Sequence, residues 1–152
     1  VAPSNNRDRR GFDIGGIELD CDAGSTSGWL ELASSSDING DGELVVMGYP
    51  CDQAPVGRMF KSKGVIESST NFNLFYKNDT FGCMSGSPLF TLEGEAIGVH
   101  TNGPHDKNTW AENNSGVRIE EQIYGLVVSW IDSTHENHEA ISESPDGPTE
   151  IK

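Results

Sequence analysis

Gly82-Cys83-Met84-Ser85-Gly86-Ser87-Pro88, followed at once by the strand-like Leu89-Phe90-Thr91, decides how the rest of the chain is read. A serine flanked by small residues can sit on a tight turn with its hydroxyl exposed, and the backbone N–H groups of Cys83 and Ser85 can then converge on a developing oxyanion. Taken locally, the same letters also spell an ordinary Gly/Ser turn. The α/β-hydrolase elbow is excluded, because Gly-x-Ser-x-Gly around Ser85 requires glycine at 83 and 87, where this chain has Cys83 and Ser87.

On both sides of this turn the chain breaks into short strand-like pieces: Phe12 to Leu19, Gly28 to Ala33, Glu43 to Tyr49, Gly57 to Ile66, Asn73 to Tyr76, Ser87 to Thr91 and Ala96 to His100. Asn39-Gly40-Asp41-Gly42 and Glu93-Gly94-Glu95 are turn signals between them. Strands at this spacing mean an all-β barrel or sandwich. One segment has helical period, with Ile119, Ile123, Leu126, Val127, Trp130 and Ile131 on a single face, so a C-terminal helix is expected over 119–133. Residues 134–152 are polar and acidic and read as a flexible tail. Asp37 to Leu44 imitates the start of a calcium loop, but its twelfth position is Gly48 rather than a bidentate Glu, so it reads as a turn.

The 152 residues carry a formal net charge of -14, which argues against nucleic acid and anionic membrane partners. No apolar run is long enough to span a membrane, and no basic n-region precedes an apolar stretch; any export signal is expected to have been removed already or never included. Cys21, Cys51 and Cys83 are an odd number, so one thiol is free or pairs outside this chain. Asn78-Asp79-Thr80 and Asn113-Asn114-Ser115 match the glycosylation sequon, a weak hint of export.

Ser85-Gly86-Ser87-Pro88 resembles the active-serine motif of chymotrypsin-fold peptidases, in the form typical of bacterial-type glutamyl endopeptidases. Further matches follow in that family's order. Phe12-Asp13-Ile14-Gly15-Gly16-Ile17-Glu18-Leu19 resembles the segment holding the triad aspartate, and Gly48-Tyr49-Pro50 with Asp52 a strand end. Asn78-Asp79-Thr80 resembles the run before the serine, Ile97-Gly98-Val99-His100 the strand lining the S1 pocket, and Gly116-Val117-Arg118-Ile119 with Trp130 the terminal segment. The resemblance implies a chymotrypsin-like double β-barrel with a C-terminal α-helix. Residues 1–30 would be the end of the first barrel and the connection carrying the aspartate, and 31–118 the second barrel. It also implies a secreted enzyme that needs no metal and no organic cofactor.

By the same resemblance Ser85 is the nucleophile, Asp13 orients the catalytic imidazole, and the backbone N–H groups of Cys83 and Ser85 form the oxyanion hole. Thr80 and His100 are the S1 residues, offering a glutamate side chain donors in place of water, with binding expected to weaken as pH rises and the imidazole loses its proton. Taken alone, His100 on an apolar strand reads as a satisfied core residue. Cys83 stands where such enzymes usually carry glycine, so the hole depends on whether a disulfide holds Cys83. Where the matched motifs fall in the fold implies a Cys51–Cys83 pair, and Cys21 is the candidate for an interchain disulfide.

The triad order in this fold is His, Asp, Ser, yet no histidine precedes Asp13, and His105, His135 and His138 are placed where none is a natural substitute. The expectation is a heterodimer: a cut between the histidine and the aspartate created Val1, and a separate N-terminal chain supplies the base. Its substrates would be proteins or peptides cut after Glu, perhaps Asp. The rival reading is an inactive peptidase-fold subunit that binds or regulates.

Overall fold

Apolar runs punctuated by turns fold into α1 (Gly24–Ser27), β1 (Glu31–Leu32), β2 (Glu43–Gly48), β3 (Phe60–Ser69), β4 (Asn73–Lys77), β5 (Pro88–Phe90), β6 (Glu95–Asn102), β7 (Asn114–Arg118) and α2 (Glu121–Ser142). The computed structural model describes residues 12–35, 38, 42–52, 57–103 and 113–142, with side chains as far as 133. Asp37, the Asn39 to Asp41 turn, His105 and residues 143–152 lie outside the described residues, as do the side chains of His135 and His138.

Six strands close on themselves in the order β2-β3-β4-β7-β6-β5, with β5 bonded back to β2 and every pairing antiparallel. Closure removes the free edges that an open sheet would expose. β1 adds to the outside of β6 in parallel, Glu31 opposite Glu95. Leu44, Val46, Ile66, Leu74, Tyr76, Met84, Leu89 and Ile97 fill the interior, each fully buried aliphatic side chain contributing about 2 kcal/mol.

β7 was not among the strands expected from apolar runs, because Val117 is its one large apolar residue, yet all five of its residues are buried. It closes the barrel between β4 and β6, and close approach is what it needs there. A Cβ on Gly116 would lie 2.5 Å from the Val99 carbonyl oxygen and 2.7 Å from Leu89 Cδ1; one on Gly98 would lie 2.5 Å from the Val117 oxygen and 3.1 Å from the same Leu89 methyl. Leu89 thus fills the space that two side chains leave empty at the seam. Arg118 finishes the strand, its guanidinium donating to Ser69 Oγ, to Ser35 Oγ and to the carbonyls of Ser35, Ile38 and Thr70.

The strand expected at Phe12 to Leu19 is not formed. A strand needs a ladder partner, and among the described residues no edge is offered there. Residues 12–30 contain α1 and otherwise irregular backbone, so this part of the expected first barrel is absent from the described pairing. Phe12 rests on Phe72, ring centroids 5.2 Å apart, while Ile17 is 89 % exposed and Trp29 81 %. The expectation of a strand from Gly28 to Ala33 shrinks to β1.

The expected helix is present but runs past Ser133 to Ser142, into what was read as tail. Glu136, Glu139 and Ala140 are good helix formers, and extending an existing helix adds one hydrogen bond per residue fixed. Glu120 caps its start, accepting from the N–H groups of Gln122 at 3.0 Å and Ile123 at 3.1 Å. Only the first turn of the apolar face is buried: Ile123 is inside, whereas Leu126, Trp130 and Ile131 are exposed.

Candidate active site

The segment 81–87 forms two consecutive turns. The Met84 N–H donates to the Phe81 carbonyl at 3.3 Å, and the Ser87 N–H to the Met84 carbonyl at 3.0 Å. Met84 is buried in the barrel core and anchors the pair of turns, leaving Ser85 on the outside. β6 then clasps the second turn from both directions, Gly86 N–H to His100 O and His100 N–H to Ser87 O, each 2.8 Å. Ser85 Oγ donates to the Thr101 carbonyl at 3.2 Å.

Cys83 has φ of 73°, the one non-glycine residue at positive φ among those described. The left-handed conformation costs an L-residue about 1–2 kcal/mol. The expected Cys51–Cys83 disulfide is formed, Cα atoms 5.6 Å apart, and the Cys51 N–H donates to Gly82 O at 3.1 Å. Cys83 is thereby held in the conformation that glycine would adopt freely. Among the described residues, neither the Cys83 nor the Ser85 N–H donates to any acceptor. Cys21 is an exposed free thiol.

His100 is 2 % exposed, and its Nδ1 lies 2.5 Å from the hydroxyl of Tyr76, itself fully buried. Burial pushes the Tyr76 phenol well above its ordinary range, so it keeps its proton and donates. Burial pushes His100 down to about 4, so the imidazole is neutral at neutral pH. With Nδ1 accepting, the proton sits on Nε2, making that nitrogen a donor without charge. The expected weakening of binding as the imidazole loses its proton would accordingly fall near pH 4 in the unliganded chain.

Thr80 Oγ1 donates to Asn114 Oδ1, and Asn114 Nδ2 donates to the Asn78 carbonyl at 2.6 Å. Asn114 faces Tyr76 across β4 and β7, and β7 also borders His100 through Gly116, so Thr80 and His100 hang from neighbouring strands of one wall. Tyr76 and Asn114 were not singled out for this site from sequence; Tyr76, two residues after Leu74 on an inward-facing register, was the available clue. The sequon at Asn78 is structural, its side-chain amide donating to the carbonyls of Ser62 at 3.0 Å and Leu44 at 3.4 Å.

Asp13 lies exposed beside Phe12 and, among the described residues, makes no hydrogen bond or ion pair with any member of this site. Ser85 and His100 are brought together by the β6 clasp; Asp13 and Ser85 are not joined by any described contact. No three His, Cys, Asp or Glu side chains among the described residues gather where they could hold a metal ion.

No protein-family model matches the chain. It is 31 % identical over 124 residues to a Bacillus subtilis protein named extracellular metalloprotease, covering 78 % of this chain and 37 % of the relative. It is 28 % identical over 130 residues to the glutamyl endopeptidase of Bacillus licheniformis, covering 80 % of this chain and 40 % of the relative. A Staphylococcus aureus glutamyl endopeptidase is 31 % identical over 104 residues, covering 68 % and 30 %. The chain thus spans well under half the length of these relatives, whose names differ in the chemistry they state. A solved Glu endopeptidase in complex with MPD superposes with a TM-score of 0.63 at 19 % identity, over 72 % of this chain and 50 % of that one.

Proposed function

We propose, from the premise that this chain resembles the glutamyl endopeptidases in sequence and has a chymotrypsin-like barrel, that it is the nucleophile-bearing chain of a secreted serine endopeptidase. The observation that carries this is the double turn that holds Ser85 exposed between two N–H groups left without described acceptors, beside a clasped pocket strand. Ser85 attacks the substrate carbonyl, an imidazole draws its proton away from Thr101 O, and the Cys83 and Ser85 amides receive the oxyanion. The same imidazole then protonates the leaving amine, and water resolves the acyl-enzyme.

The imidazole comes from outside residues 1–152, with Asp13 turning to orient it. Exposed Ile17 and Trp130, which line one surface groove, support a contact with a partner, since large apolar side chains gathered at a surface mark an interaction site. Cys21, exposed, is the position for an interchain disulfide. The substrate residue before the cut is Glu or Asp, read by His100 and Thr80. Because Thr80 spends its proton on Asn114, the Nε2–H of His100 is the principal donor at that wall. The intrachain disulfide and the name of one extracellular relative support an extracellular location.

The test is labelling by a fluorophosphonate probe of the native material and of a Ser85→Ala variant, with intact mass before and after reduction. Stoichiometric labelling that Ser85→Ala abolishes, together with a second, histidine-bearing polypeptide released by reduction, is the expected result. No labelling of the native assembly would instead identify an inactive peptidase-fold subunit.

A further inference from the structure

Asn114 fixes the direction of the hydrogen bond made by Thr80. Its Nδ2 donates to the Asn78 carbonyl at 2.6 Å, a group that can only accept, so Oδ1 is the atom turned to Thr80 and the Thr80 hydroxyl must donate to it. Thr80 Oγ1 is left with lone pairs and no proton for any further partner. The Tyr76 hydroxyl acts on His100 in the opposite sense: it donates to Nδ1, so Nε2 carries the proton. Nε2 has no hydrogen-bond partner among the described residues, yet the buried side-chain atoms left without one there are Asn78 Oδ1 and Asn113 Oδ1, so Nε2 is the part of this buried ring that reaches solvent.

Asn114 and Tyr76 stand directly opposite each other on β7 and β4, which puts their side chains on one face of the sheet, and their far ends hold Thr80 and His100. The wall therefore presents one neutral donor and one acceptor. The basic side chains of β4 and β7 are engaged elsewhere, Lys77 with Glu67 at 3.3 Å and Arg118 with Ser35, Ile38, Ser69 and Thr70. A carboxylate can only accept, so beside Thr80 it sets lone pair against lone pair; a primary carboxamide accepts with its oxygen, donates with its nitrogen and matches both groups. The carboxamide also enters without desolvating a charge. The carboxylate regains part of this difference through its stronger bond to Nε2–H, which keeps glutamate a substrate.

We infer that cleavage after glutamine is a further activity of this chain, comparable in rate with cleavage after glutamate. The inference rests on the proposed function, from which it takes Ser85 as nucleophile and the Thr80–His100 wall as the surface that reads the residue before the cut.

The experiment uses the assembled enzyme at neutral pH, its active sites counted by fluorophosphonate titration, and peptides that differ only in carrying Glu, Gln or Leu before the cut. The expected kcat/KM for Gln lies within about tenfold of that for Glu, and Leu, similar in bulk but without polar atoms, falls about tenfold or more below Gln. Thr80→Val keeps the shape and removes the acceptor, so the Gln-to-Glu ratio falls about fivefold or more, whereas Thr80→Ser, which keeps the acceptor, restores it. A fold defect alone would lower both rates together and leave the ratio unmoved. Gln or Leu outside the expected ranges, or a ratio that Thr80→Val does not lower, overturns the inference, while cleavage after Glu leaves the proposed function standing. Labelling of Ser85 without cleavage after Glu or Gln overturns the inference and the role of the wall together. No cleavage of any peptide, with no labelling, overturns the proposed function as well.

Discussion

Removing the Cys51–Cys83 bridge separates two things it does: it shortens the unfolded chain and it holds Cys83 left-handed. With a sequence separation of 32, the loop-closure model gives about 4 kcal/mol of stability lost when both cysteines become alanine. The second effect is kinetic. Without the bridge an alanine at 83 prefers a right-handed conformation by about 1–2 kcal/mol, so the state with its amide turned as in the native loop falls to a minor population. That reduces the reaction of Ser85 with a fluorophosphonate about 5- to 30-fold, as 1–2 kcal/mol converts through RT. Glycine at 83 carries no such preference. The comparison is therefore Cys51→Ala/Cys83→Ala against Cys51→Ala/Cys83→Gly, measured in the assembled enzyme by urea denaturation and by second-order labelling rate. Both variants lose about 4 kcal/mol, but only the alanine variant labels slowly. Equal labelling rates would refute the argument that the disulfide substitutes for a glycine in the loop.

Three further outcomes follow from the geometry. His100 titrates near its ordinary value when unfolded and at about 4 when folded, so the unfolded state binds the extra proton between these values: its contribution, about 3 kcal/mol, is complete above pH 6.5 and is lost as pH falls toward 4, and urea titrations across that window should show a slope that His100→Gln removes. Gly116→Ala drives a Cβ to 2.5 Å from the Val99 carbonyl oxygen and should cost about 3 kcal/mol by chemical denaturation, with amide exchange rising first along β6 and β7. Tyr76→Phe removes the donor to His100 Nδ1 and leaves that nitrogen buried without its partner; a loss of about 2 kcal/mol is expected, and a double-mutant cycle with His100→Leu should show the two effects to be strongly non-additive.

The barrel was legible because its wall is built from Leu44 to Val46, Leu74 to Tyr76, Leu89-Phe90 and Ile97, apolar runs bounded by turns. β7 was not, because Asn114, Ser115 and Gly116 are buried through backbone approach rather than apolar surface. The nucleophile turn and the burial of His100 were legible in the short-range letters of Gly82 to Ser87 and Ile97 to His100, whereas the Cys51–Cys83 pair was expected only through the family resemblance of the motifs around it. The Tyr76–His100 and Thr80–Asn114 contacts depend on which strands become neighbours across the closed barrel, a register no local pattern states. Phe12 to Leu19 misled for a related reason: strand-like composition describes what a segment can pair, and pairing needs a second edge.

The double clasp between β6 and the serine turn also has a bearing on engineering. The residue that would read the substrate and the one that would attack it are mounted on the same rung, through Gly86 and Ser87. Repacking around position 100 to accept a different side chain would shift that rung, so altered selectivity and altered reactivity would arrive together. Thr80 is mounted separately, on Asn114, and is the position from which preference could be retuned while the alcohol stays in place.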